Sequence, residues 1–201
     1  VVPLPHRDYA GGAAEARRRW PDAEFIGAGQ PLPCVAGQSW TRDQVTFVWL
    51  HPNASLPELG RDSGCVLEIR SAAGSVLLTG GISRNVARRM RLTERAAPVD
   101  VLLLPAMGHR DALDPAWLET LSPRLAIATV AIPNRRGLPH AEIVAPLQRL
   151  NTPLLTTGDC GALRIRFGSG RAPEVIAERV ERPRFWRRAE GCADVVARLR
   201  D

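Results

Sequence analysis

"VDVLLLPAMGHRD", Val99 to Asp111, decides how the rest of the chain is read. Val99 to Leu104 is almost continuously apolar, too short for a helix, and stops at Pro105. An apolar run of that length bounded by a turn residue is the pattern of a strand buried on both faces. The loop after it offers Ala106, Met107, Gly108 and His109. Loops at strand ends are where metal and catalytic groups tend to sit. What this loop holds is therefore the functional question.

Working outward, the same grammar repeats. Downstream, Asp114 and Pro115 open a helix whose inner face is Trp117, Leu118 and Leu121. "RLAIATVAI" is a second buried strand, "PHAEIVAPLQRL" a helix bent or shortened at Pro146, and "PLLTT" a third strand. Upstream, Ser83 caps a helix to about Arg91, with Val86, Ala87 and Met90 at helical spacing. "CVLEIR" and "SVLLTGG" read as a hairpin turning at "SAAG", and "QVTFVWLHP" as a strand with one more polar face. Ala13 to Trp20 is a short helix, and "FIGAGQPLPC" begins strand-like before a Gly/Pro loop. Pro57 to Gly64 is a loop. "ALRIRF" and Glu174 to Val180 are strands, and a polar, basic helix runs over about 185–201. Mainly β, then β-α-β-α-β, is the order of a layered α/β sandwich with helices outside. One domain over 1–201 is expected, since no repeat, low-complexity tract or linker divides it.

Hydrophobic residues make up 45% of the 201, enough for a sizeable core. No segment approaches the apolar length of a membrane span, and no signal-peptide pattern is present. Val1-Val2-Pro3-Leu4-Pro5 reads as a strand end, so the chain is expected to be a fragment of something longer. Net charge is +6, and all 27 basic residues are Arg. Arg codons in a GC-rich genome explain that blandly. A polyanion partner explains it more sharply, because the guanidinium forks phosphate bidentately. The clusters Arg17-Arg18-Arg19, Arg84/Arg88-Arg89-Arg91 and Arg184/Arg187-Arg188 favour the sharper view modestly.

Cys34, Cys65, Cys160 and Cys192 form no C-x-x-C pair, so zinc-knuckle spacing is absent. They are either small buried core residues or, in an oxidising compartment, one of three pairings. There is no P-loop, no G-x-G-x-x-G after a strand and no nucleophile elbow. Cys34 and Cys65 lack a neighbouring His, which argues against a thiol nucleophile. What remains are four strand-end loops: "PLPHRDYAGG", "LLTGGI", "LLLPAMGHR" and "NRRGLPHAEI". If they converge, His6, Asp8, His109 and His140 form an N/O set of the kind Zn or Mn accepts. A lone His is more often an ordinary polar residue than a ligand.

With those loops laid out, the chain resembles the C-terminal metallo-β-lactamase-like domain of the ComEC family of DNA-internalisation proteins, Gram-negative type. The resemblance is carried in order by Cys34–Pro52, Ser63–Ile82, Val99–His109, Asn134–Leu147, Thr156–Phe167 and "RFWRR" at Arg184–Arg188. It implies an αββα sandwich whose first strands, and the membrane channel before them, are missing here. It also implies a His/Asp metal pattern that this chain departs from. Where the pattern reads Ser-His-x-Asp-x-Asp-His-x-Gly-Gly, Pro3 to Gly12 keeps only Asp8 among ligand positions, with His6 at an Asp position. Gly81 stands where Leu-Thr-Gly-Asp has its bridging Asp. Ala106 and Met107 stand for the two histidines of Pro-His-His-Gly-Ser, with His109 at the Ser, and Leu138 for the His of Gly-His-Pro.

Two functions follow as expectations. One is a non-catalytic domain of a DNA-uptake channel with no metal or other cofactor, meeting DNA through Arg84, Arg88, Arg135 and Arg136. Its partners would be DNA, the channel part of the same polypeptide and other uptake proteins. The other is a rewired nuclease in which His6, Asp8, His109 and His140 hold Zn or Mn, Asp8 and His109 act in catalysis, and the non-transported strand is degraded. The same resemblance implies the periplasmic side of the inner membrane, where disulfides persist. There Cys34, before one strand, is expected to pair with Cys65, which opens the next sheet segment. Cys160 is expected to pair with Cys192, tying down the last helix.

Overall fold

The computed structural model describes residues 1–55, 60–95, 97–168, 172–186 and 189–199. Arg187 and Arg188 of the third basic cluster lie outside the described residues. In chain order the elements are α1 (Arg7–Ala10), α2 (Ala13–Arg19), β1 (Ser39–Arg42), β2 (Val45–His51), β3 (Val66–Ser71), β4 (Gly74–Leu78), α3 (Arg84–Leu92), β5 (Val101–Leu103), α4 (Pro115–Leu121), β6 (Leu125–Ala128), α5 (Ala141–Arg149), β7 (Leu154–Thr156), α6 (Thr157–Cys160), β8 (Leu163–Arg166), β9 (Glu174–Ala177), α7 (Glu178–Glu181) and α8 (Glu190–Arg198).

β1 to β7 form one sheet in chain order. β1 through β4 pair antiparallel, and β4 through β7 pair parallel. Parallel neighbours need a crossover, and α3, α4 and α5 supply the three. The pleat sends alternate side chains to opposite faces. Leu77, Leu102 and Ala126 therefore face the helices, against Val86, Met90, Leu118, Leu121, Ile143 and Leu147. Trp117 is fully buried in the same layer. Val101, Leu125, Ile127 and Leu155 face the other way, against Val175 and Ala177 of the β8–β9 hairpin and Val196 of α8. Helices, sheet, hairpin and outer helix give the α/β sandwich that the strand–helix rhythm predicts.

Phe167, just beyond β8, lies directly on the backbone of Gly74. A Cβ there would sit 2.2 Å from the ring. Gly74→Ala is expected to cost about 1–3 kcal/mol by overpacking. Urea denaturation of the variant checks this, and an unchanged midpoint would contradict the contact.

Several local expectations need correction. β1 was not anticipated: Asp43 and Gln44 take positive φ (50° and 64°) between β1 and β2. That is the conformation of a two-residue hairpin turn, built here without its usual Asn-Gly signal. "FIGAGQPLPC" makes only the isolated bridges Val2↔Gly27 and Ile26↔Leu32, not a strand. β9 stops at Ala177 and the chain turns into α7, whose first amide bonds to Ala162. The last helix begins at Glu190, not 185, and the arginines precede it, so it is not basic. Cys192 and Val196 are its buried residues. Asp114 occupies the cap position of α4 without a side-chain cap bond, because its carboxylate binds Arg91 Nε at 3.0 Å.

Both expected disulfides are present. Cys34–Cys65 joins the loop before β1 to the entry of β3, beside Trp49 and Leu67. Cys160–Cys192 pins α8 to α6.

Candidate functional site

The carboxyl ends of parallel strands are the usual ligand-binding end of an open α/β sheet. At that end a pocket of about 380 Å³ is lined by Leu4, Pro5, His6, Asp8, Tyr9, Gly60, Arg61, Gly81, Ala106, Met107, His109, Arg136 and Leu138. The loops therefore do converge. Every position at which the ComEC-type pattern would place a ligand contributes to this lining, and most of them offer no donor atom.

The Pro105–Gly108 turn after β5 shows how tightly the site is built. Ala106 (φ 45°), Met107 (φ 60°) and Gly108 (φ 80°) are left-handed in succession. For Ala and Met that conformation costs about 1–2 kcal/mol each. The turn is held by Ala106 N–H to Gly80 O at 2.8 Å and His140 N–H to Gly108 O at 2.9 Å. A Cβ on Gly108 would meet Pro139 at 2.6 Å, so this residue must be glycine. The Asn134 side chain closes the next loop, donating to Ala131 O and Leu138 O and accepting from Leu138 N–H.

At Gly81 the pocket is already full. A Cβ there would lie 2.3 Å from Leu4 Cδ1 and 3.0 Å from the Tyr9 hydroxyl. Leu4 is 3% exposed and Leu138 is buried, while Met107 packs on the main core. Arg61 reaches in from a distant turn and donates from Nε to Gly81 O at 3.0 Å. Burial pushes the Tyr9 phenol above its ordinary value of 10.0; Arg61 opposes that shift and Asp8 adds to it. Tyr9 is therefore a neutral O–H donor here.

Asp8 supplies the carboxylate of the described lining. It lies 3.5 Å from His6 Nδ1 and 3.7 Å from Arg136 Nη1. His6, His109 and His140 all spend Nδ1 in the same way, accepting the amide two residues on at 3.3 Å (Asp8, Asp111 and Glu142). For His140 that bond caps α5, and its ring is not part of the pocket lining. The expected set of His6, Asp8, His109 and His140 is thus split. Among the described residues, no three His, Cys, Asp or Glu side chains are grouped to hold one ion. A two-metal hydrolase needs several fixed anionic and imidazole ligands around both ions. Two guanidiniums, one cation-paired carboxylate and apolar Leu4, Met107 and Leu138 do not fit that requirement.

The four arginines expected to contact DNA take different positions. Arg136 lines the pocket and Arg135 adjoins it, exposed. Arg88 is exposed on α3. Arg84 is engaged within the protein, bonding Leu113 O at 3.1 Å and Arg110 O. Sequence reasoning missed Arg61 and Tyr9. Arg61 carries no local signal, because only the fold brings residue 61 against Gly81.

No family model matches the chain. Recombination protein 2 of Haemophilus influenzae is 26% identical over 168 residues, which is 80% of this chain and 21% of that protein. ComE operon protein 3 of Bacillus subtilis is 26% identical over 121 residues, 60% of this chain and 16% of that protein. The chain is a homologue of the Rec2/ComEC-type competence proteins. It spans about a fifth of the length of the curated relatives it matches. A crystal structure described as a metal-dependent hydrolase of Parabacteroides distasonis superposes with a TM-score of 0.53 at 11% identity, covering 78% of this chain and 74% of that one. A variant of the β-hydroxylase CmlA gives 0.52 at 10% identity, covering 88% and 43%. At such identities the likeness is one of fold alone.

Proposed function

We propose that the chain is a metallo-β-lactamase-fold domain of a membrane DNA-uptake protein, that it works without a hydrolytic metal centre, and that it meets incoming DNA through arginines. One observation carries this reading: the ligand positions of the ComEC-type pattern meet in a single pocket, and there Leu4, Tyr9, Gly81, Ala106, Met107 and Leu138 replace ligands while Arg61 and Arg136 add positive charge. Such a pocket repels a dication and attracts phosphate. Exposed Arg88 and Arg135 extend the same charge outward. Two disulfides suit an extracytoplasmic position, on the periplasmic side of the inner membrane. Among the described residues no helix is long and apolar enough to cross a membrane. The channel segment of the same polypeptide and other uptake proteins are the partners this role requires.

Two measurements test the reading. Elemental analysis of the purified chain, with nuclease assays in added Mn or Zn, is expected to find no stoichiometric metal and no cleavage. Metal-dependent cleavage that disappears in Asp8→Ala and His109→Ala would instead establish the rewired nuclease. DNA affinity is expected to fall linearly in log–log terms with salt, by about 0.9 per phosphate neutralised on duplex. Replacing Arg135 and Arg136 together by Ala should flatten that slope by about 2. Binding indifferent to salt would remove DNA contact from the proposal.

A further inference from the structure

A second cup, sharing no lining residue with the pocket above, surrounds the end of β2. It has a volume of about 270 Å³ and is lined by His51, Asn53, Ser55, Arg89, Met90, Thr93 and Arg95. His51 and Met90 are buried, while the two arginines and Thr93 stand exposed on the rim. His51 Nδ1 is 2.8 Å from Gly64 O. A carbonyl only accepts, so Nδ1 carries the proton and Nε2 presents a bare lone pair. That Nε2 is buried and has no hydrogen-bond partner among the described residues. A buried polar atom of this kind costs about 1–3 kcal/mol unless something meets it.

The surroundings select what can meet it. Arg89 and Arg95 make no ion pair with a carboxylate among the described residues, and Arg95 Nη1 is steered inward by a 3.5 Å contact with Leu50 O. Two guanidiniums beside the ring exclude a metal cation, which would otherwise suit a bare imidazole nitrogen. The negative end of α3 is also quenched. Its last carbonyls are taken by the Thr93 amide and hydroxyl and by the Arg95 amide. Asp62 is the acidic group whose charge reaches His51, and its carboxylate already accepts the Ser83 hydroxyl. What fits is an anion that accepts from guanidiniums and hydroxyls and shares one proton with an imidazole.

We propose that the His51 cup is a phosphate-binding site, with Arg89 and Arg95 as the charged clamp and His51 Nε2 as the proton-sharing base of the cup. Ser55, Thr93 and Asn53 supply further hydroxyl and amide donors. One proton is shared on binding: either the neutral ring takes a proton from solvent and donates Nε2–H to the anion, or a protonated phosphate oxygen donates to Nε2. In the free protein His51 is held below its ordinary 6.5, mainly by burial; the Gly64 carbonyl opposes this, and Arg89 and Arg95 add to it. A bound phosphate reverses the sign of that local field, so binding and protonation favour each other.

The direct test is a titration of the chain with inorganic phosphate against chloride at matched ionic strength, read by NMR at the four histidine rings. The His51 signals are expected to move with phosphate and not with chloride, and its apparent pKa to rise. Arg89→Gln and Arg95→Gln, at exposed positions that leave the fold intact, should each weaken phosphate binding about tenfold. The ratio of wild-type to His51→Gln affinity should grow as pH falls from 7.5 toward 5.5, about one unit either side of the free imidazole value. A parallel arm with a short oligonucleotide distinguishes backbone phosphate from the free ion, and a response to either supports the site. No movement at His51 with either ligand, the same movement with chloride, or unchanged affinity in both arginine variants would overturn it.

Discussion

Reducing the two disulfides is expected to unfold this domain near physiological temperature. Each bridge closes a loop of similar length, with sequence separations of 31 and 32. In the chain-entropy account a loop of that size contributes about 3–4 kcal/mol at 25 °C. The two loops do not overlap along the chain, so their contributions should add nearly independently. Together they amount to about 6–8 kcal/mol, against a total stability of about 5–15 kcal/mol for an ordinary domain. For a chain of this length each bridge corresponds to a Tm loss of about 10 °C. The two pairs should fail differently. Cys34→Ala with Cys65→Ala frees the segment that carries β1, β2 and His51. Cys160→Ala with Cys192→Ala releases α8 from the β8–β9 side of the sheet. Calorimetry with and without reductant, on the wild type and both double variants, measures this. Equal Tm values in all samples would show that the bridges contribute nothing.

Gly81→Asp, which restores the carboxylate of the ComEC-type pattern, is expected to damage the protein and not to revive a metal site. The new Cβ would meet Leu4 Cδ1 at 2.3 Å and the Tyr9 hydroxyl at 3.0 Å. Overpacking of this kind costs about 1–3 kcal/mol, and burying a carboxylate adds to it. Leu4→Ala alone should cost about 2–5 kcal/mol by leaving a cavity. In the Leu4→Ala background, however, the Asp side chain has room. The double variant should therefore be more stable than the sum of the single losses by about 0.5–3 kcal/mol, the range of coupling between residues in contact. Arg61 and Arg136 remain in the double variant, so it should still bind no stoichiometric Zn or Mn. Strict additivity would mean that Leu4 does not occupy the Gly81 space. Metal uptake by the double variant would mean that the arginines do not exclude a cation.

Much of the architecture was legible because its signals are local. Val99–Leu104, apolar but for Asp100, and "RLAIATVAI", apolar but for Arg124 and Thr129, each hold one strand buried between helices and hairpin. Val86, Ala87 and Met90 repeat at helical spacing because one stripe of α3 is buried. The hairpin β1–β2 was hidden, because Asp43-Gln44 reaches a left-handed turn without glycine. The start of α8 was misplaced as well: Phe185 and Trp186, read as the beginning of that helix, stand exposed before it.

By itself the sequence determined the alternation of strands and helices from β4 to β7, the helix start at Ser83, and which residues fill the strand-end loops. The resemblance implied that Leu4, Gly81, Met107 and Leu138 stand in those loops where its pattern has ligands. Only the tertiary structure decided that these positions share one pocket, that Arg61 and Tyr9 join them, and that His140 does not. It alone brought Arg89 and Arg95 into one cup with His51. Periodicity, caps and turn residues act over a few neighbours along the chain. A pocket is made where loops tens of residues apart are brought together by strand pairing and helix packing, and the charge and free space found there belong to no single segment.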